Sequence, residues 1–123
     1  MNIANINGIN GEVIATKYLD KKSYDILALN YRSFYGEIDI IAQKDEYVVF
    51  VEVKTRSDKA FFTPKEAVTK TKQQKIISTA MKYLSSTQTF LQPRFDVIEI
   101  YMPKNPFLKP KVNHIKNAFY MER

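Results

Sequence analysis

Residues 36–56 read GEIDIIAQKDEYVVFVEVKTR, two apolar runs separated by the polar stretch Lys44–Glu46. That pattern predicts two strands, about 37–43 and 47–54, joined by a tight turn. Their near-continuous Ile, Val and Phe content predicts a sheet covered on both faces, a helix–sheet–helix sandwich. Into these runs the chain places Asp39, Glu52 and Lys54. A charge in such a setting is costly unless it is paired or holds a metal.

If the turn centres between Asp45 and Glu46, Asp39 falls opposite Glu52 and Glu37 opposite Lys54. Strand alternation then brings all four side chains out on one face. Two facing carboxylates repel each other unless something positive lies between them, and a divalent cation is the natural occupant. The chain has no cysteine and a single histidine, His114. A thiolate or histidine-rich centre is therefore excluded, and oxygen ligands favour Mg²⁺ or Mn²⁺ over Zn²⁺. Lys54, two residues beyond Glu52, points to the same place. Its ammonium can orient or deprotonate an attacking water and stabilise charge developing on a phosphate. These are the parts of metal-assisted phosphodiester hydrolysis. The competing reading, a set of buried ion pairs, would build a core from poor stabilisers.

Working outward, Ile6, Ile9, Val13 and Ile14 recur at helical spacing and predict a first helix over about 5–19, although Gly8 and Gly11 weaken its first half. A strand is expected at 24–31. Thr63-Pro64-Lys65-Glu66 has the form of a capped helix start, with Thr63 as cap and Glu66 completing a capping box. The predicted helix runs to about Leu84, with Ile76, Ile77, Ala80 and Leu84 facing the core and Lys72, Lys75 and Lys82 on a separate stripe. A fourth strand follows at 95–101, then a proline-punctuated loop and a short terminal element in HIKNAFYM. The order αβββαβ defines an α/β fold, a central mixed sheet flanked by helices, in one domain over residues 1–123.

The charge map adds a partner. The 123-residue chain has a formal net charge of +6. Residues 54–82 hold eight Lys and Arg against two acidic residues, so the whole excess lies there, directly after the acidic cluster. Basic residues so concentrated point to a polyanion such as nucleic acid, with a solvated helix face as the alternative. No apolar run is long enough to span a bilayer, and the N-terminus has no leader-like hydrophobic stretch. The sequence thus predicts a soluble, cytoplasmic protein with no membrane partner.

The combination Asp39 with Glu52-Val53-Lys54 resembles the PD-(D/E)XK nuclease signature, with Ile38 where the signature has its proline. Over nearly the whole chain, GE at 11–12, NYR at 30–32, GEIDII at 36–41, VFVEVKTR at 49–56, VTKTKQ at 68–73, RFDVI at 94–98 and HIKNAF at 114–119 resemble the YraN-like family of small bacterial proteins. That family is similar to archaeal Holliday-junction resolvases. The resemblance implies a restriction-endonuclease-like core, a Mg²⁺ (or Mn²⁺) pocket at Asp39 and Glu52 with the Val53 carbonyl as third ligand, and Lys54 as catalytic lysine. It also implies Glu12 as an assisting carboxylate on the first helix, although Glu12 is equally suited to capping or an ion pair there.

DNA, branched or a repair intermediate, is the substrate this implies, and a homodimer is an option because such enzymes cut two strands. Arg56, Lys72, Gln73, Lys75 and Lys82 are the candidate nucleic-acid contacts, with a solvated helix face as the other reading of Lys72 and Gln73. Two further function classes fit the same fold. One is a nucleic-acid-binding module that cuts nothing. The other is a complex subunit making contacts through Tyr35, Phe61 and Phe62. Arg94 and Asp96 read as structural, and His114 as packing or surface.

Overall fold

The computed structural model describes residues 3–56 and 68–121, with side chains from residue 11 onward. Helix α1 spans Ile3–Lys21, β1 Asp25–Ser33, β2 Gly36–Lys44, β3 Tyr47–Arg56, α2 Lys70–Thr87, β4 Gln92–Tyr101 and β5 Lys111–Phe119. The five strands form one sheet in the order β1-β2-β3-β4-β5. Only β3 and β4 run parallel. A parallel pair needs a long crossover, and the connection that carries α2 supplies it. The α/β class and the αβββαβ order are as expected, with β5 added at the edge beside β4. The expected terminal element is therefore a full strand rather than a short piece.

Each face of the sheet has its own helix. Ala15 and Leu19 of α1 are buried against Ile40, Ala42, Val49, Val51, Ile98 and Ile100. Ile76 and Ala80 of α2 are buried against Ile38, Ile41, Val48, Phe50, Phe95 and Val97 on the other side. The two-sided covering explains why β2 and β3 read as unbroken apolar runs. The stripe on α1 differs from the expected one. Val13 is exposed, and the helix packs through Ala15 and Leu19 with Ile14 and Tyr18 alongside.

Helix α2 also begins later than expected. Thr69 has extended backbone angles, φ −68° and ψ 160°, and its side chain accepts from the Lys72 N–H. Thr69 is thus the cap, and a continuous helix from Thr63 to Leu84 is not formed. Thr63–Glu66, Phe61 and Phe62 lie outside the described residues. The capping signal in TPKE was strong locally, but Thr69 offers an equivalent hydroxyl at the point where Val68 enters the core. Buried Thr79 ties α2 to the sheet by sharing a hydrogen bond with Ser33 (2.9 Å) and donating to the Lys75 carbonyl (2.9 Å).

Two irregularities position the polar residues. In β1, Asn30 adopts a left-handed φ of 52°, and the pairing with β2 passes from Leu29↔Ile40 to Tyr31↔Ile38. Asn tolerates that conformation because its short polar side chain bonds locally. Ile40 and Ala42 lie on the α1 side, yet Ile38 packs on the α2 side, so alternation is interrupted at Asp39. Gly11 is the second device. A Cβ there would collide with the Thr55 hydroxyl, so the glycine that weakens α1 as a helix lets it lie directly on β3.

Candidate active site

Pairing between β2 and β3 has the expected register, from Lys44↔Tyr47 to Ile40↔Val51, and its ladder stops there. Beyond it the Asp39 carboxylate takes over a backbone role, Oδ2 accepting the Val53 N–H at 2.8 Å. The side chain is thereby held against the strand that carries Glu52 and Lys54. The expected Glu37–Lys54 pair is not made. Glu37 pairs instead across β1 with Arg32 at 3.4 Å, an exposed contact. Lys54 turns to Glu52, with Nζ 3.7 Å from Oε1. The strands part at Asp39, and lateral pairing ends where the carboxylates begin.

Glu52 is buried and approached by a second cation, since Lys72 Nζ of α2 lies 3.8 Å from the same Oε1. Lys72 therefore leaves the expected outer stripe and joins the carboxylate cluster. Lys75 and Lys82 remain exposed on α2. Gln73 donates from Nε2 to the Val68 carbonyl at 3.0 Å, closing the first turn of the helix. Arg56 ends β3, with its carbonyl accepting the Met102 N–H at 2.6 Å.

Electrostatics single out the same residues. Burial pushes the Glu52 carboxyl up to about 7, with Asp39 adding to the rise and Lys72 and Lys54 opposing it. Asp39 is raised too, chiefly by burial, while the Val53 N–H holds it down and Glu37 pushes it up. Glu12 is raised by burial first and by Asp39 second, with a hydrogen bond from Asn30 working the other way. Glu12, Asp39 and Glu52 thus share one field, although they come from α1, β2 and β3.

Among the described residues, no group of three or more His, Asp or Glu side chains is arranged to hold a metal. A cation at this place would draw on the Asp39 and Glu52 carboxylates and a backbone carbonyl such as that of Val53, with water completing the shell. The donor set is all oxygen, and both carboxylates are disfavoured as anions even with Lys54 and Lys72 beside them. That chemistry fits Mg²⁺ or Mn²⁺.

Asn30 and Glu99 were missed as site residues. Asn30 supports Glu12, and its only trace in the sequence is its place in the NYR string. Glu99 is fully buried, aligned with Lys54 in the β3–β4 register, and accepts from Asn113 Nδ2 at 3.0 Å. A lone acid within DVIEIY was its signal. Of the two readings of His114, packing holds and surface does not: its side chain is buried, Nε2 lies 2.7 Å from Asp96 Oδ2 and Nδ1 lies 3.1 Å from the Tyr18 hydroxyl. Arg94 and Asp96 pair directly, as a structural role requires.

The sequence comparisons agree with one another. The model of the uncharacterised protein family UPF0102 matches residues 11–100. A UPF0102 protein of Caldanaerobacter subterraneus is 50% identical over 110 residues, covering 89% of this chain and 90% of the relative. One from Syntrophomonas wolfei is 45% identical over 113 residues, 91% and 96% of the two chains. Another from Clostridioides difficile is 46% identical over 110 residues, 89% and 92%.

Proposed function

Because the chain belongs to the uncharacterised protein family UPF0102, its chemistry has to be read from its own geometry, and we propose that it is a divalent-metal-dependent nuclease of the PD-(D/E)XK type acting on DNA. The observation that carries this reading is the pair Asp39 and Glu52. Both carboxylates have raised pKa values, they repel each other, and Lys54 lies 3.7 Å from Glu52 on the same strand. A module that only bound nucleic acid would gain nothing from two destabilised acids in a basic surface.

Asp39, Glu52 and the Val53 carbonyl would hold the ion, which would supply Lewis acidity and neutralise charge on the scissile phosphate. Asp39 is fixed for this by the Val53 N–H. Lys54 places an ammonium where it can donate to an attacking water or to a phosphate oxygen. Glu12, held by Asn30 from the α1 side, orients water at the mouth of the site. Lys72 balances Glu52 until substrate arrives. No helix among the described residues is long and apolar enough to cross a membrane. The test is cleavage of labelled duplex, single-stranded and four-way-junction DNA with and without Mg²⁺ or Mn²⁺. Metal-dependent strand scission is expected. Intact substrates in every arm, from a protein that binds them, would leave the binding-module reading in its place.

The basic face makes a separate prediction. Lys75 and Lys82 are exposed, whereas Lys72 is committed to Glu52. Replacing Lys75 and Lys82 by Gln is expected to reduce the slope of log affinity against log salt by roughly two. Binding would weaken alike for all sequences. A slope equal to wild type would make this stripe a solvated face.

A further inference from the structure

At the other end of the sheet lies a second polar centre that the proposed cleavage does not use. Arg94 and Asp96 of β4 and His114 of β5 meet Tyr18 of α1 and Tyr24 just before β1. Arg94 donates to both oxygens of Asp96, from Nε at 3.0 Å and Nη2 at 2.8 Å, and Nη2 also donates to the Tyr24 hydroxyl at 2.7 Å. Asp96 is fully buried and accepts further from His114 and from the Asn117 N–H at 3.1 Å. These bonds hold its carboxyl below the usual range against the opposing effect of burial. Asp96 is therefore ionised and fully engaged. Because it is an acceptor only, His114 Nε2 carries the hydrogen of their bond, and Nδ1 lies 3.1 Å from the Tyr18 hydroxyl.

Above this floor opens a cavity of about 340 Å³, within the size range of small-molecule sites. Its lining includes Tyr18 and Arg94 together with three lysines, Lys22, Lys44 and Lys116, and one further carboxylate, Asp45. Lys44 is anchored in place. Its Nζ donates to the Lys22 carbonyl at 2.8 Å and lies 5.6 Å from the Tyr24 ring centre. Lys22 Nζ stands 6.0 Å from the Tyr18 ring. Four cations thus face one cavity against Asp45 at its wall and Asp96 beneath, and Asp96 is already spent on Arg94 and His114. Like charges so gathered favour an anion between them. Two surplus positive charges match a dianion better than a singly charged one.

We propose that this cavity is a binding site for a phosphate monoester, separate from the carboxylate site and beyond the cleavage reading. The monoester dianion is met by Lys22, Lys44, Lys116 and Arg94, and the Tyr18 ring forms a wall for the attached organic group. Val49 pairs with Arg94, and Lys54 lies five residues further along β3. By strand rise the two sites are roughly 17 Å apart. The monoester could belong to a free nucleotide or to the phosphorylated end of a nucleic-acid strand. The chemistry at the lysines is the same for both.

His114 is the chain's only histidine, so its imidazole proton signals are identified in a proton NMR spectrum without assignment. The intact protein is titrated at pH 8, in EDTA, with adenosine 5′-monophosphate and with cyclic AMP, a singly charged diester of the same nucleoside. The 5′-monophosphate is expected to shift the histidine signal saturably, and the cyclic diester to bind at least about tenfold more weakly. The exposed double variant Lys22→Gln/Lys116→Gln is expected to lose at least about tenfold in affinity with unchanged melting temperature. A 5′-phosphorylated oligonucleotide that displaces the monophosphate, where its 5′-hydroxyl form does not, identifies strand ends as the source. Failure of both oligonucleotides identifies free nucleotide. No shift at millimolar monophosphate, or equal affinity in the double variant, overturns the proposal. Because no metal is present and Asp39 and Glu52 are untouched, that failure leaves the nuclease reading standing.

Discussion

Lys54→Ala is expected to slow strand cleavage by roughly a hundred- to a thousandfold, the scale of removing one donor from developing phosphate charge. DNA affinity is expected to change little, since one charge in a broad basic surface contributes a small part of phosphate binding. A second consequence separates catalysis from general damage. Lys54 is one of two cations holding the Glu52 carboxyl down against burial and Asp39. Without it Glu52 stays protonated to higher pH, so metal binding to the variant is expected to require a higher pH than in wild type. Asp39→Asn is expected to abolish cleavage to a similar degree for a different reason, by removing the charge of a metal ligand while its amide oxygen still accepts the Val53 N–H. Rapid-quench cleavage rates beside filter-binding affinities check both variants. A parallel fall of affinity and rate in Lys54→Ala would assign the lysine to binding alone.

Glu52→Gln is expected to stabilise the metal-free protein above neutrality. In the folded state the Glu52 carboxyl is raised from 4.5 to about 7. Between those values the folded chain holds a proton that the unfolded chain has released. Stability therefore falls as pH rises from about 4.5 to about 7, and the loss is complete above the folded value. The penalty is about 3.5 kcal/mol, because the rise from 4.5 to about 7 costs about 1.4 kcal/mol per pKa unit. A neutral amide avoids it. Thermal unfolding in EDTA at pH 8 is expected to show a melting temperature higher by roughly 10–15 °C in the variant, with the difference vanishing near pH 4.5. Adding Mg²⁺ is expected to raise the wild-type value and leave the variant nearly unmoved, since only the wild type retains both carboxylates. Equal melting temperatures at pH 8 would mean that Glu52 is compensated by Lys54 and Lys72 alone, with no call for a cation.

What the sequence determined by itself is whatever repeats locally or is spaced along one strand. The hairpin register followed from the tight turn at Asp45–Glu46, because a turn between two apolar runs leaves few alignments. The α/β class followed from runs too continuous for a half-exposed sheet, and burial of β2 and β3 under both helices bears that out. The grouping of Asp39, Glu52 and Lys54 followed from the same register.

Tertiary structure decided everything that depends on approach between distant segments. Glu12 meets Asn30 and the field of Asp39 because Gly11 lets α1 lie on Thr55, and a helix's tolerance for contact is invisible in its own periodicity. Lys72 left its stripe because Glu52, twenty residues earlier, is an acid buried within its reach. The Glu37–Lys54 pair failed because Asp39 intercepts the Val53 N–H and the strands separate, a competition between side-chain and backbone acceptors that pairing rules do not contain. His114 found Asp96 and Tyr18 because β5 lies beside β4 and under α1. The physical reason is common to all four. Burial and long-range hydrogen bonding take their energy from the removal of water by segments far apart in the chain, and local sequence carries no record of which segments those will be.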